Sequence, residues 1–307
     1  MDVSIIIVNY NTKSLTSNCI DSIFEQTKDI QFEIILVDNG SNDGSRELFS
    51  KDERIIYIFS EDNLGFGRAN NLGYKIAKGE YLFLLNSDTY LVNNAIYLLW
   101  KQLKDVSTNS ASGEVACAGC ILTDEHGKVV HSYAHFPSMW FSLLGATIYP
   151  VLWKLHIIPC LPSTSNYGYG NQKGNFFDVD YITGADLMVR KRVADELKLF
   201  DPEFFMYYEE TEMQYRYMKA GYRRIVYLGP QIVHLEGQSN RKSSPARTTQ
   251  AMRSLFLYYK KTGKPLSYLL FSLSFKFSHI LTCLVSFPFM NGNVKDKVNH
   301  IWEIIRI

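Results

Sequence analysis

The chain has 307 residues, enough for one large domain or two ordinary ones, and 46% of them are hydrophobic, which supplies a substantial core. A formal net charge of +1 excludes the overall basic character by which proteins bind nucleic acid. The five cysteines, including the C-x-x-C pair Cys117 and Cys120, are odd in number, and three lie in apolar runs. We therefore expect core thiols in a reducing compartment rather than a disulfide framework.

The first 90 residues alternate between apolar runs of strand length and segments with helical periodicity. Strands are predicted within residues 3–11, 32–45, 54–60 and 80–89, and the last of three intervening helices covers about residues 68–78. Such alternation predicts a mostly parallel sheet with helices on both faces. Because the chain enters strand-like sequence without a charged leader and a long apolar segment, we expect no signal peptide and a cytoplasmic location.

Each of these predicted strands ends in polar residues. Singly, such residues are typical of turns. The carboxyl ends of parallel strands meet at one edge of a sheet, where open α/β sheets bind ligands, so the whole row favours a ligand site. Its members are Asn9, Asn11, Asp38, Asn39, residues 61–63, Asn86 and Asp88.

Beyond residue 115 the pattern changes. A strand over residues 115–122 is followed by a predicted hairpin over residues 123–130. Residues 136–162 are rich in aromatic residues and proline, and residues 163–175 form a polar, glycine-rich loop. This insert fits recognition of a carbohydrate or partly apolar substrate and, equally, a satellite hydrophobic cluster.

Residues 265–290 are long enough to span a bilayer, but Lys276 and His279 near the middle disfavour spanning. A basic flank beside an aromatic-rich apolar helix is typical of peripheral membrane contact. Packing on the catalytic domain or on a second subunit is the alternative, and the oligomeric state stays open. The flanking lysines are Lys260, Lys261 and Lys264.

Seven motifs occur in a fixed order: VNYN, VDNGSNDGS, NLGFGRANNLG, LLNSDT, ITGADLMVRK, FDPEFFMYYEETEMQYR and IVHLEG. Together they resemble bacterial family-2 glycosyltransferases over residues 3–239, especially the rhamnosyltransferase-like branch. The resemblance implies the α/β GT-A fold, a Rossmann-like, mostly parallel sheet with helices on both faces, plus a C-terminal helical extension. It divides residues 1–248 into a nucleotide-sugar-binding half (1–110) and an acceptor-binding half (111–248), and residues 249–307 are predicted as a helical segment that contacts the membrane or packs on protein.

The resemblance also implies a divalent cation, Mn²⁺ or Mg²⁺, held by Asp88 and His234. A strand-end carboxylate is a hard oxygen ligand that suits both ions, while an imidazole favours Mn²⁺. This sequence departs from the family's Asp-x-Asp motif, since Asn86 stands where the first Asp would be. The amide carries no charge, so we expect weaker metal binding and assign Asn86 to the nucleotide.

The family's nucleotide-binding residues fall on four of the motifs. Asp38 and Asn39 would bind base and ribose through paired hydrogen bonds, and Tyr10 would stack on the base. Asp38 could instead organise the turn that follows it. The full set implied by the resemblance is Asn9, Tyr10, Asn11, Asp38, Asn39, Arg68, Asn70 (or its neighbour Asn71) and Asn86.

The catalytic base of this family matches Glu210, and Glu209 stays an alternative because the family usually has Glu-Asp here. One carboxylate suffices for a single inverting displacement. Neighbouring acids raise one another's pKa, which suits a base working near neutral pH. Glu212 is assigned a structural pairing with Arg216. Substrate contacts are implied for Asp186, Arg241 and Lys242, each of which also fits a turn or a solvated linker.

The sequence thus predicts a metal-dependent inverting glycosyltransferase that uses a nucleotide-sugar donor of the dTDP-rhamnose or UDP-hexose type. The acceptor implied is a saccharide or lipid-linked oligosaccharide of a cell-surface polysaccharide, at the inner face of the cell membrane. The alternative is a catalytically silent relative that binds saccharide or serves as a scaffold.

Overall fold

The computed structural model describes residues 1–107, 113–146, 165–170, 174–235 and 245–286, together with residues 302 and 306. The chain divides into two compact units. Unit 1 comprises residues 1–135 and 164–242, and unit 2 comprises residues 136–163 and 243–307. The division into donor and acceptor halves near residue 110 stays a prediction.

The described part of unit 1 is built around a nine-stranded sheet in the order β3-β2-β1-β4-β10-β6-β11-β5, with β8 also paired to β11. A separate pair of strands, β7 and β9, completes its β-structure. The strands are β1 (Val3–Asn9), β2 (Phe32–Asn39), β3 (Ile56–Ser60), β4 (Tyr81–Asn86), β5 (Thr89–Leu91), β6 (Val115–Thr123), β7 (Tyr133–Ala134), β8 (Phe176–Asp178), β9 (Tyr181–Ile182), β10 (Asp186–Arg190) and β11 (Arg223–His234).

Strands β3, β2, β1 and β4 pair in parallel, and β6 pairs in parallel with β11. Strand β10 lies between β4 and β6 and is antiparallel to both, so the two parallel groups share one direction. The predicted mostly parallel α/β sheet is therefore confirmed. The helices are α1 (Lys13–Gln26), α2 (Ser45–Phe49), α3 (Phe66–Tyr74), α4 (Ala95–Ser107), α6 (Lys191–Leu197) and α7 (Glu209–Lys219) in unit 1, and α5 (Met139–Ala146), α8 (Pro245–Thr262) and α9 (Pro265–Ser286) in unit 2.

Helices cover both faces of the sheet, as the continuous aliphatic strands require. Ile5 and Ile7 of β1 belong to one buried cluster, which includes residues of α1 and α4. Ile6 belongs to the other cluster, with Ala69 of α3 and Tyr217 of α7. Alternate residues of one strand thus point to opposite cores.

Two local predictions can be compared directly with the structure. The hairpin is present, because Thr123 bridges Val129 and the Asp124 amide donates to the Lys128 carbonyl over 2.8 Å. Helix α3 begins two residues before the predicted start and ends at Tyr74. Its start is set by Gly65, whose left-handed φ of 81° turns the chain into the helix.

Unit 2 holds the predicted C-terminal helices. Phe256 and Tyr259 of α8 pack against Phe271 of α9, and Ser142 of α5 is hydrogen-bonded to the Tyr259 hydroxyl over 2.6 Å. Among the described helices, none has both the length and the hydropathy needed to cross a bilayer. Residues 287–290 of the predicted 265–290 segment lie outside the described residues.

Candidate active site

The carboxyl ends of β1, β2 and β4 lie side by side at one edge of the sheet. The strand register places Asn9 opposite Asp38, Asn39 opposite Ser60, and Asn86 opposite Val8. The polar residues that end these strands in the sequence are therefore neighbours in space. This edge is where open α/β sheets bind ligands.

Asn9 holds the loop after β1 together. Its side chain is fully buried, and its carbonyl oxygen accepts from the hydroxyls of Thr12 and Thr16 over 2.8 and 2.9 Å. Its amide nitrogen donates to the Ser41 hydroxyl over 3.0 Å and to Asp38 over 3.3 Å. Asn9 thus joins the ends of β1 and β2 and shapes the site through them.

Asp38 is also fully buried, and its two carboxylate oxygens are both occupied. One accepts the Ser41 amide over 3.1 Å, and the other accepts the Tyr57 hydroxyl over 2.8 Å. Burial raises the pKa of Tyr57, and the hydrogen bond to the Asp38 carboxylate raises it further, so the phenol stays protonated and acts as a donor. Neither Tyr57 nor Ser41 was predicted as a site residue; Tyr57 reaches Asp38 from the neighbouring strand β3, and Ser41 lies in the loop that follows Asp38.

Tyr10 and Asn11 follow β1 at the surface. Tyr10 is 46% exposed, so one of its ring faces is accessible to a planar ligand. Asn11 has a left-handed φ of 56°, and its side-chain oxygen accepts the Asn42 amide over 2.8 Å. That bond ties the loop after β1 to the loop after β2.

Asn39 fixes the turn before α3. Its side-chain oxygen accepts the Leu64 amide over 2.8 Å, and its nitrogen donates to Asn63 over 3.0 Å. Within α3, Asn70 is almost fully buried and donates to the Phe66 carbonyl, while the exposed Arg68 donates to the Pro202 carbonyl over 2.6 Å.

The turn before α3 also touches the segment that precedes α7. The Phe66 amide donates to the Phe205 carbonyl over 2.9 Å, and a Cβ added to Gly65 would lie 2.0 Å from that carbonyl oxygen. A Cβ on Gly67 would lie 3.5 Å from the Cβ of Glu209. Two motifs that are far apart in the sequence are therefore in direct contact.

Asp88 and His234 form a close pair at the end of β4. Strand β5 pairs with the end of β11, which places His234 opposite Thr89, and the Leu235 amide donates to the Asp88 carbonyl over 2.9 Å. The Nε2 atom of His234 lies 3.3 Å from Oδ1 of Asp88. The side chains of Asp88 and His234 are both largely shielded from solvent. Asn86, which is half-buried, ends β4 two residues before Asp88.

This pair fits a cation carried in by a diphosphate. Within the described residues no group of three His, Cys, Asp or Glu side chains is arranged to hold a metal. Two protein ligands are nevertheless enough for an ion that also binds substrate phosphates and water. The set of one imidazole and one carboxylate suits Mn²⁺ and, through the carboxylate, Mg²⁺.

Glu209 and Glu210 open helix α7 after two tyrosines with left-handed backbone, Tyr207 (φ 72°) and Tyr208 (φ 66°). Non-glycine residues adopt this conformation at a cost, and such strain is concentrated at functional sites. The carboxylates also lie at the positive end of the helix dipole. The two glutamates therefore follow directly on a backbone segment with an unfavourable conformation.

The two glutamates differ in their access to solvent. Glu209 is 3% exposed, and its Oε2 atom has no hydrogen-bond partner among the described residues. Glu210 is half-buried, and its Cγ lies 3.9 Å from the position of a Cβ on Gly184. Burial, and then repulsion from Glu210, raise the pKa of Glu209 well above its usual range, and burial raises the pKa of Glu210 towards neutral pH.

Asp186 opens β10 and is fully buried. Its Oδ2 atom accepts the Cys120 amide over 2.6 Å, and Oδ1 has no partner among the described residues. Burial raises the pKa of Asp186 to about 7, against the opposing effects of the Cys120 hydrogen bonds and of His234. The sequence suggested a turn here, whereas Asp186 already lies in the strand opposite Leu85.

Gln214 is a positioning residue that the sequence did not reveal. Its side chain is fully buried and bonds both backbone groups of Ile182, accepting from the amide over 2.9 Å and donating to the carbonyl over 2.7 Å. It thereby fastens the segment before Gly184 to helix α7. The backbone amide of Asn86 in turn donates to the backbone carbonyl of Ala185 over 3.0 Å, so this segment connects β4 with α7.

A cavity of about 410 Å³ opens beside His234. It is lined on one side by the hairpin after β6, which the sequence predicted but did not assign to the site. Arg241 and Lys242, which were predicted to bind substrate, lie outside the described residues. The lining residues are Asp124, Glu125, Lys128, Val129, Val130, His234 and Leu235.

Comparison with known proteins shows which family part of the chain is similar to. Residues 4–144 match the family model described as "Glycosyl transferase family 2". The chain is 33% identical over 115 residues to Glycosyltransferase GlyG of Streptococcus pneumoniae, which covers 36% of this chain and 38% of GlyG. It is 27% identical over 244 residues to O-antigen biosynthesis protein RfbC of Myxococcus xanthus, covering 78% of this chain and 18% of RfbC.

The fold has solved counterparts as well. The crystal structure of GalNAc-T7 with UDP, GalNAc and Mn²⁺ superposes with a TM-score of 0.59 at 18% identity, over 85% of this chain and 49% of that protein. The fold is therefore of the GT-A type. The resemblance seen in the sequence is confirmed as a likeness, since residues 4–144 match the family-2 model and the fold is that of GT-A glycosyltransferases. The chain spans 38% and 18% of the two relatives' lengths.

Proposed function

We propose that the chain is a metal-dependent inverting glycosyltransferase that moves a sugar from a nucleotide-sugar donor to a hydroxyl of a growing cell-surface polysaccharide. The observation that carries the proposal is the pairing of Asp88 with His234 at the ligand-binding edge of the sheet, 3.3 Å apart. The names of the relatives support it, since RfbC is an O-antigen biosynthesis protein and GalNAc-T7 was crystallised with UDP and Mn²⁺.

Asp88 and His234 would hold the divalent cation, Mn²⁺ or Mg²⁺. When bound, such an ion neutralises the negative charge that develops on the leaving diphosphate. Arg241 and Lys242 follow His234 in the sequence and would add positive charge for the same diphosphate. That contribution would offset the carboxylate that Asn86 lacks.

The nucleotide would bind along the ends of β1, β2 and β4. Asp38, Asn39 and Asn9 order the loops there, and the exposed ring of Tyr10 offers a stacking surface for the base. Asn11 and Asn70 stabilise the neighbouring backbone, and Arg68 adds a positive charge at the start of α3. Donors of the dTDP-rhamnose and UDP-hexose type fit this assignment.

Glu210 is the proposed base, because its side chain is more accessible than the buried Glu209. It accepts the proton of the acceptor hydroxyl as that oxygen attacks the anomeric carbon. The bond from the anomeric carbon to the diphosphate oxygen breaks at the same time, and the nucleoside diphosphate leaves with its bonding electrons. A single displacement of this kind inverts the anomeric centre.

The acceptor is proposed to be a saccharide or lipid-linked oligosaccharide at the cytoplasmic face of the cell membrane. Asp186 is proposed to act in substrate binding indirectly, since it lies in the strand that follows the Gly184 turn beside Glu210. A catalytically silent saccharide-binding protein is the rival function. It would tolerate loss of both Asp88 and Glu210.

The test is nucleotide release from a panel of nucleotide sugars by the purified chain, with Mn²⁺, with Mg²⁺ and with a chelator. Metal-dependent cleavage of one donor, lost in Asp88→Ala, supports the proposal and names the sugar. Nucleotide-sugar binding that ignores both metal and Asp88 would instead favour the silent binding protein. Asp29→Asn is a matched control, because Asp29 is exposed and its left-handed backbone (φ 62°) suits Asn.

A further inference from the structure

Helix α9 of unit 2 is apolar on two opposite sides. Phe271 and Phe275 are buried on one side, where both pack against Phe256 of α8. The other side carries a stripe of large apolar residues that are between 52% and 70% exposed. They recur at helical spacing of three and four residues and are Leu266, Leu269, Leu270, Leu273, Phe277 and Leu281.

Helix α5 extends this surface. Trp140 is 76% exposed, and Phe141 and Leu144 are about half exposed. Trp140 and Leu270 line the same groove between α5 and α9. Monomeric proteins rarely expose an apolar patch of this extent without using it to bind a partner. We call the exposed stripe of α9 together with these three residues of α5 the α5–α9 face.

The charge of the chain is separated between its two units. The sequence of unit 2 contains ten Lys and Arg residues and only two acidic residues, a net charge of +8. Since the whole chain has a net charge of +1, unit 1 carries −7. The described residues 136–146 and 245–286 contain no Asp or Glu at all.

We propose that the α5–α9 face docks on an anionic lipid bilayer and lies in its interface without crossing it. Helices that lie in an anionic bilayer interface have an apolar face, basic residues beside it and exposed aromatic residues such as Trp. The α5–α9 face combines these features. Lys276 lies at the edge of the α9 stripe, where its long side chain can reach the headgroups. No described helix is long and apolar enough to cross a bilayer.

A second copy of the chain is the less favoured occupant of this face. Two copies of unit 2 would bring together two units whose sequences carry a net charge of +8 each, which repel one another. An anionic bilayer is attracted by the same charge. The charge of unit 2 therefore favours an anionic membrane over a second copy of the chain. This inference does not depend on the proposed reaction.

The test is flotation of the full chain with phosphatidylcholine vesicles, with and without phosphatidylglycerol, in the absence of any donor. We expect binding that needs the anionic lipid and weakens with salt. Leu270→Glu with Phe277→Glu should lower the partition coefficient at least about 100-fold, because two side chains leave the hydrocarbon boundary. Leu48→Glu with Ile76→Glu, on apolar residues of unit 1 that are 47% and 42% exposed, should leave it unchanged.

Variants that remove lysine charges measure the electrostatic contribution to vesicle binding separately. Lys260→Gln with Lys261→Gln should weaken binding to the anionic vesicles about fivefold for each charge removed. Lys51→Gln with Lys78→Gln, exposed lysines of unit 1, should not weaken it. Circular dichroism and light scattering on every variant check folding and oligomeric state. The inference is overturned if the wild-type chain does not float, or if Leu270→Glu with Phe277→Glu merely converts a dimer that does not bind vesicles into monomers.

Discussion

The Nε2 atom of His234 lies 3.3 Å from the Oδ1 atom of Asp88, although the two residues are far apart in the sequence. The antiparallel pairing of β5 with β11 brings them together, and the bond from the Leu235 amide to the Asp88 carbonyl closes the contact. The geometry therefore depends on backbone pairing rather than on flexible side chains. Such support is what a metal site requires of its protein.

Removal of either member of this pair should reduce turnover through loss of metal binding. Because the cation contributes several kcal/mol to stabilising the leaving group, Asp88→Ala should lower kcat/KM about 100-fold or more. His234→Gln should raise the Mn²⁺ concentration needed for half-maximal activity. Titration of activity against Mn²⁺ checks both, and an unchanged metal requirement in both variants would contradict the assignment.

The two glutamates of α7 should respond differently to replacement by glutamine. Glu210→Gln removes the base and should lower kcat about 100- to 10,000-fold. Glu209 is buried, which raises its pKa well above the usual glutamate range, and it is less accessible to an acceptor than Glu210, so Glu209→Gln should retain most activity. Steady-state kinetics of the two variants decide between them, and the reverse ranking would assign the base to Glu209.

The pH dependence of kcat/KM should show the raised pKa of Glu210. The base must be deprotonated, so activity should rise with pH through a pKa above the ordinary glutamate value of about 4.3. In Glu209→Gln this acidic limb should persist. A limb that stayed near pH 4 in the wild-type enzyme would show that the base is a solvated carboxylate elsewhere.

Asp186 should make the metal-free protein less stable as pH rises. Its pKa is raised to about 7 in the folded state, so the folded chain retains a proton that the unfolded chain loses above about pH 4. The stability that this group contributes is fully present below that unfolded pKa and declines by ~4 kcal/mol as pH rises to the folded pKa. Urea unfolding from pH 5 to pH 8 in chelator should show this slope, and Asp186→Asn should reduce it, while the slope contributed by the raised pKa values of Glu209 and Glu210 remains.

Gly65 should be intolerant of any side chain. In Gly65→Ala the new Cβ would lie 2.0 Å from the Phe205 carbonyl oxygen, so the segment before α7 must move. Gly127→Ala is the matched control, because its φ of 76° is similar and nothing lies within 4 Å of its Cβ. Gly127→Ala should cost only the left-handed strain of about 1–2 kcal/mol. Gly65→Ala should lower Tm by at least about 5 °C more and reduce activity, and equal melting temperatures would show that this contact is not tight.

The parallel strands were predictable because each is a continuous aliphatic run that ends in polar residues. The antiparallel strand β10 was not, because its place between β4 and β6 depends on pairing with distant parts of the chain. For the same reason the sequence suggested a turn around Asp186, where the structure has a buried strand. The contacts of Tyr57 with Asp38 and of Gln214 with Ile182 are likewise long-range, and no local pattern marks them.

The most direct measurement is a proton NMR time course of an α-linked nucleotide sugar with the chain, Mn²⁺ and an acceptor or water, run in parallel with Glu210→Gln. The proposed mechanism predicts that nucleoside diphosphate appears together with the β-anomer of the transferred or released sugar, and that neither forms with Glu210→Gln. First appearance of the α-anomer, or equal turnover by Glu210→Gln, would contradict a single displacement assisted by this glutamate.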